Sequence, residues 1–267
     1  RVIDSLTKEE TVYNAKVIFL NASALNSNLI LLHSTSARFP NGLGNDSGLL
    51  GHYICHHNYR GSLGGTIEGY EDVYYYGRKP AESMMANFRN FKKQDMEFVG
   101  GYMAFMGCYR TRGEGNTGED SIGAELKQAL TEAGSWGMYM YMQGETVPKY
   151  KNRVYLSETA KDQWGIPLLV TDLDYDHNDE LLLKDFLTQG AEMLEAAGVK
   201  NIHTHDNHWA PGRDIHEMGG CRMGKDPKSS LLNKWNQLHH CQNIFVTDGD
   251  RKSTRLNSSH ITISYAV

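Results

Sequence analysis

Three histidine groups in this sequence have residue types and spacings that bear on chemistry. In the first, His52, His56 and His57, an i, i+4 pair on a helix would offer two imidazoles to one metal ion. No carboxylate stands at a supporting spacing, so surface or hydrogen-bonded histidines beside a glycine loop are the favoured reading. The second group is His203-Thr-His-Asp-Asn-His208. Two imidazoles one residue apart suit one zinc ion, and an aspartate directly before the last histidine would serve a second. Asn207 holds that place and the aspartate is displaced to Asp206, which removes the anionic ligand and favours a polar loop. The third group is Ile215-His-Glu-Met-Gly-Gly-Cys-Arg-Met-Gly224. Paired glycines after His216 let the backbone approach a flat ligand where a Cβ would clash. An imidazole titrates near neutral pH and is suited to taking a proton from an alcohol at such a place.

The elements around these groups decide which of them can act. Ala15–Leu20 is a short apolar run closed by Asn21-Ala22-Ser23, which predicts a buried parallel strand. Leu25, Leu29 and Leu32 then fall at helical spacing, with Ser23 or Asn26 to cap the helix start. Residues 38–48 contain Pro40, Gly42, Gly44 and Gly48 and read as an ordered loop. From Tyr53 to Met142, short Tyr-, Phe- and Met-rich patches such as 74–76 and 102–106, broken by glycines, predict antiparallel sheet. Arg110–Ser121 reads as a mobile surface loop, and Ile122–Ala133 as a helix ended by Gly134. Arg153–Ser157 and Leu168–Asp172 are strand-like about a turn at 162–167. Asn178–Ala197 predicts the clearest helix, with Leu183, Phe186, Leu187, Leu194 and Ala197 on one stripe, Gly190 inside it and Gly198 as its stop.

Composition excludes several classes. The chain of 267 residues has 27 Lys and Arg against 32 Asp and Glu, a net charge of −5, which argues against a nucleic-acid binder with its basic face. Hydrophobic residues make up 40%, enough for a sizeable core. No apolar run nears the roughly 20 residues that cross a bilayer. Cys55, Cys108, Cys221 and Cys241 are widely spread with no Cys-x-x-Cys, which suits neither a disulfide framework nor a thiolate zinc site.

Taken in order, His216-Glu-Met-Gly-Gly-Cys-Arg-Met-Gly224, Asn233 and Asn243-Ile-Phe-Val-Thr-Asp-Gly249 resemble the C-terminal signature of the glucose-methanol-choline (GMC) flavoprotein oxidoreductases. Asn21–Leu32 with the loop at 42–44 is similar to the segment where that family's chain returns to its flavin domain. Asn152-Arg-Val-Tyr-Leu156 and Asp162-Gln-Trp-Gly-Ile-Pro167 resemble the opening of its C-terminal domain. The resemblance spans about residues 13–249 and is nearest to bacterial members acting on sugars or sugar acids. It implies an α+β chain, part of an FAD-binding α/β domain joined to a substrate domain with an antiparallel sheet and helices. On this reading 1–51 and 211–249 are returning parts of the FAD domain and 52–210 is the substrate domain. It further implies FAD as cofactor, His216 as the base that accepts the substrate hydroxyl proton, and Ala22, Asp248 and Gly249 against the cofactor. The partners implied are an alcohol, sugar or sugar acid and an electron acceptor, whether oxygen, a quinone or a cytochrome.

Two departures shape the expectation. The family's Gly-x-Gly-x-x-Gly turn, which sets pyrophosphate on a helix N-terminus, is absent. Its second catalytic residue would follow Asp248-Gly249, where Asp250–Val267 reads as a translated DNA-sequencing adapter and is set aside from fold reasoning. The expected protein is therefore an incomplete FAD-dependent oxidoreductase with no metal site, inactive by itself, whose cytoplasmic or periplasmic location is open. A zinc-dependent hydrolase using His203, His205 and His208, and a non-catalytic remnant domain, are the competing readings.

Overall fold

The structure is a computed structural model that describes residues 1–73, 78, 81–112, 122–213 and 215–249. In chain order the elements begin with β1 (Val2–Ile3), β2 (Glu10–Thr11), β3 (Ile18–Leu20), α1 (Ala24–His33), β4 (His52–Cys55), β5 (His57–Asn58), β6 (Gly61–Ile67), β7 (Ser83–Met85) and β8 (Tyr102–Arg112). They continue with α2 (Gly123–Thr131), β9 (Ala133–Glu145), β10 (Arg153–Lys161), β11 (Pro167–Asp172), α3 (His177–Ala196), β12 (Lys200–Asp206), β13 (Met218–Gly220), β14 (Gln237–Leu238) and β15 (Cys241–Val246). Helices laid on mostly antiparallel strands give the α+β class expected from the sequence. The chain divides into two compact units, one of residues 1–55, 148–173 and 216–267, the other of 56–147 and 174–215. The β10–β11 hairpin thus packs in the unit that carries His216.

In the second unit, β12-β6-β9-β8-β7 form an antiparallel sheet, with β5 beside β9. Strand alternation sorts its residues cleanly. Met140 and Met142 of β9, Ala104 of β8 and Leu63 of β6 join the core, whereas Tyr139, Tyr141 and Gln143 point to the opposite face. Helix α3 closes the core with Leu182, Leu183, Phe186 and Leu194. Its start is fixed by a capping box in which the Asp176 side chain accepts from the Asp179 amide and Asp179 accepts from the Asp176 amide. Gly190, unexpected inside a helix, is explained by packing: a Cβ there would lie 2.8 Å from a Leu63 methyl.

In the first unit, β11-β10-β4-β13 form an antiparallel sheet, and β14-β15-β3 a smaller one in which β15 and β3 run parallel. Leu31 of α1, Leu50, Cys221, Leu231, Leu232, Leu238, Ile244 and Val246 make its core.

Four expectations need correction. Strand β3 is parallel as expected but not buried, with Ile18 44% and Phe19 62% exposed, because it pairs only with β15 among the described strands. Helix α1 buries the polar Ser27 and Asn28 beside Ala24 and Leu31, leaving Leu25 and Leu29 only partly buried while Leu32 packs against the core; Asn28 is drawn in by two backbone acceptors described below. The helical pair of His52 and His56 does not form, because His52 lies on β4 and His56 follows it outside any helix; the favoured reading of hydrogen-bonded histidines holds at His56 and His57, which face the His57 and Gly144 carbonyls. Gly134 sits inside β9, and α2 ends at Thr131 because Glu132 is extended. The tyrosine run at 74–76, most of the 110–121 loop and the 250–267 tail lie outside the described residues.

Candidate functional site

Within the first unit, residues distant in sequence meet where β3 and β15 end. The Thr247 hydroxyl donates to the Asn21 side-chain oxygen. The Ala22 N–H donates to Ser27 Oγ at 3.2 Å, and that hydroxyl in turn donates to the Asp248 carboxylate. Gly249 is pressed so close that a Cβ on it would lie 2.8 Å from the Glu217 carbonyl and 3.6 Å from Ala24. Ala22, Asp248 and Gly249 therefore share one place, and the residue next to His216 closes it.

Backbone geometry aims the His216 segment. His216 itself has φ +66°, in the left-handed region that a β-carbon disfavours. The two glycines after it continue that path, and Gly220 lies where a Cβ would be 2.2 Å from the Asn28 amide. Asn28 Nδ2 donates to the carbonyls of Ala24 (2.8 Å) and Gly219 (3.1 Å), which ties α1 to β13. His216 is exposed. Arg222, which the sequence leaves without a role, lays its guanidinium 4.2 Å from the centre of the Tyr53 ring.

The donor set suits a polar cofactor. Ser23, the N-cap of α1, has φ +69° and makes no side-chain capping bond, and no acidic residue occupies the first turn. The N–H groups of a helix start left uncapped by side chains attract partially negative oxygens, while Asp248 beside them accepts from hydroxyls. Small residues at Ala22 and Ala24 leave room for close approach.

The second histidine group does not assemble a metal site. Alternation along β12 places His203 and His205 on the open sheet face, opposite Gly64 and Ser62. Asp206 falls on the other side, held by Arg60 Nε at 3.0 Å, and Arg60 also grips Glu180 of α3. That pairing keeps the Asp206 carboxyl below its ordinary range. His208, past the strand end, contacts the same carboxylate at 3.1 Å. Among the described residues no three His, Cys, Asp or Glu side chains are grouped to hold a metal ion.

One titratable group was not apparent in the sequence. Glu145 ends the line Tyr139, Tyr141, Gln143 along β9, directly opposite His57. Burial pushes its carboxyl up to about 7, offset in part by the hydrogen bond it accepts from the Gly101 N–H at 3.2 Å. A raised acid keeps its proton in the folded chain while the unfolded chain releases it near 4.5. Stability from this group is thus complete at low pH, falls as pH rises through that window and levels off above it. With the group partly solvated, the loss should be about 1–2 kcal/mol. Glu145→Gln should abolish that slope in urea unfolding at about pH 5 and about pH 8; a slope unchanged in the variant would show that Glu145 is not its source.

Comparison with known proteins decides what this arrangement belongs to. Residues 148–250 match the family profile described as GMC oxidoreductase. These residues are a GMC oxidoreductase C-terminal domain. The chain is 29% identical over 258 residues to 2-methyl-1,2-propanediol dehydrogenase of Mycolicibacterium austroafricanum, covering 94% of this chain and 46% of that protein. It is 26% identical to the fructose dehydrogenase large subunit of Gluconobacter japonicus, covering 88% of this chain and 42% of the other. A solved formate oxidase from Aspergillus oryzae, studied for its FAD modification, superposes with a TM-score of 0.52 at 11% identity over 88% of this chain and 49% of that one. This chain spans about half the length of the relatives it matches. GMC oxidoreductases are FAD flavoproteins, in keeping with the donor set at α1. The GMC domain contains His216, Asp248 and Gly249; Ala22 lies outside the matched span. Among the described residues no helix is long and apolar enough to cross a membrane.

Proposed function

We propose that the complete protein containing this chain is an FAD-dependent oxidoreductase that oxidises a CH–OH group of an alcohol or sugar, with His216 as the base. The observation that carries the reading is the convergence of Ala22, Asp248, Gly249 and the His216 segment on one uncapped helix start, with Asp248, Gly249 and His216 in the span that matches the GMC oxidoreductase family. Relatives named as a propanediol dehydrogenase and a fructose dehydrogenase support an alcohol or sugar donor. When bound, FAD supplies the hydride acceptor for the carbinol carbon. The protein's own part is orientation and proton transfer. Ala22 and the first turn of α1 would hold the cofactor's polar oxygens, and Asp248 would accept from its hydroxyls. The His216 imidazole would take the hydroxyl proton as the C–H bond breaks, so that one proton and one hydride leave together and a carbonyl remains. Oxygen, a quinone or a cytochrome would then receive the electrons.

The test is the visible spectrum of the complete gene product. Purified protein should carry bound flavin that bleaches when a polyol or sugar is added without oxygen. A colourless protein, or bound flavin that no alcohol reduces, would overturn the proposal.

A further inference from the structure

One side chain of the first unit is charged, half-buried and unmatched. Arg60 reaches Asp206 and Glu180, Arg89 reaches Asp185, Arg153 reaches Asp172, and Arg110 takes backbone carbonyls. Arg222 makes no hydrogen bond and no ion pair through its side chain with any described residue, and its Nε is buried without a partner among them. Buried donors left unmatched are expensive, most of all on a charged group. The pose is nevertheless held firmly. The Arg222 carbonyl accepts from the Leu231 and Leu232 amides at 3.0 Å and 3.1 Å, and the guanidinium lies over the Tyr53 ring. Tyr53 has φ +62° and is pressed against Gly219, where a Cβ would run into the Tyr53 carbonyl. Its ring meets Tyr150 edge-on at 5.7 Å; Tyr150 in turn stacks on His52 at 4.1 Å, and His52 Nδ1 donates to the Tyr150 carbonyl at 2.8 Å.

We infer that Arg222 and Tyr53 form a binding site for a small oxyanion, a carboxylate or a phosphate. A guanidinium laid over a ring keeps its edge N–H groups clear, in the planar fork that pairs two donors with two anion oxygens. With Nε covered, the donors a ligand meets are the two Nη groups at the end of the fork. No described carboxylate competes for them, since none is in ion-pair reach of Arg222. Lys149 and Lys151 flank Tyr150 in the sequence and add positive charge to the neighbourhood. The oxyanion comes either from a free ion or from a carboxylate elsewhere in the complete protein, and the recognition chemistry is the same. The site owes nothing to bound flavin, so it stands or falls apart from the redox reading.

The experiment is heteronuclear NMR of the isotope-labelled full chain, reading the arginine Nε–H resonances as acetate or inorganic phosphate replaces chloride at constant ionic strength. The Arg222 resonance, identified by its loss in Arg222→Lys, should shift saturably with both anions. Those of Arg60 and Arg89, already paired, should stay in place. Tyr53→Leu should weaken binding about two- to five-fold, the worth of one cation–π contact at a partly exposed site, with circular dichroism checking the fold. Should that variant unfold, Arg222→Lys takes its place, read at the Leu231 and Leu232 amides, and should lose the saturable shift along with the fork. The same spectrum of the complete gene product separates the two sources. An Arg222 resonance that already lies where saturating acetate puts it in the chain, and ignores added anions, identifies an internal carboxylate; one that titrates as in the chain identifies a free ion. No saturable shift in the chain, a folded variant that binds like wild type, or an Arg222 resonance in the complete protein that is neither displaced nor responsive would overturn the inference.

Discussion

Replacing His216 by alanine in the complete protein is expected to lower kcat by about two to four orders of magnitude, the usual contribution of a positioned general base. Bound flavin should remain, because the contacts that suit the cofactor come from Ala22, the α1 start and Asp248 rather than from the imidazole. The backbone should also hold its course. His216 already sits at φ +66°, where alanine adds no side-chain bulk beyond the β-carbon that histidine also carries. A base acts unprotonated, so the wild-type rate should rise with pH through the imidazole's titration, and the variant should lose that limb. Stopped-flow reduction of the flavin by substrate reads the step directly. A reduction rate within a few-fold of wild type, with the acidic limb intact, would remove His216 from the proposed chemistry.

Gly220→Ala should destabilise the first unit by about 4 kcal/mol. Two costs combine: φ is +86°, and the added carbon would lie 2.2 Å from the Asn28 amide. Relief requires Asn28 to move, which breaks its bonds to Ala24 and Gly219 and leaves buried polar groups unsatisfied. Gly48→Ala is the matched control. Its φ is +71° but nothing lies within 4 Å of the added carbon, so only the backbone penalty of about 1–2 kcal/mol applies. Chemical denaturation of both variants separates the two costs. Equal losses would mean that the Asn28 contact contributes nothing.

How much of this was readable beforehand depended on whether the signal was local. Helix α3 announced itself through its apolar stripe and Gly198, and even Gly190 had its reason in Leu63. The antiparallel sheet followed from Tyr-, Phe- and Met-rich patches broken by glycines, the one at 102–106 lying in β8. The inward face of α1 was misjudged because Ser27 and Asn28, polar by type, are buried by partners about 190 to 220 residues away. No periodicity encodes that. The one hint was the polar run Asn26-Ser27-Asn28 inside a mostly apolar helix. His203 and His205 read as a polar loop once the displaced aspartate had weakened the zinc reading, and it is the pairing with β6, distant in sequence, that makes them strand residues. Glu145 was passed over because its raised proton affinity comes from burial beside Gly100 and Gly101, which only the fold creates. The convergence of Ala22 with Asp248 and Gly249 was reached through motif order rather than through any physical spacing.

The parallel pairing of β3 with β15 also sets a clock on synthesis. Ile18 finds its partner only when Ile244 has been made, and Phe19 only with Phe245. At roughly 5–20 residues per second, the edge of β3 that β15 takes stays open for on the order of 10 to 45 s during synthesis. Strand edges of this kind recruit other chains. The late arrival of β15 is therefore a point of exposure during synthesis, and chaperone supply or slower growth should raise soluble yield.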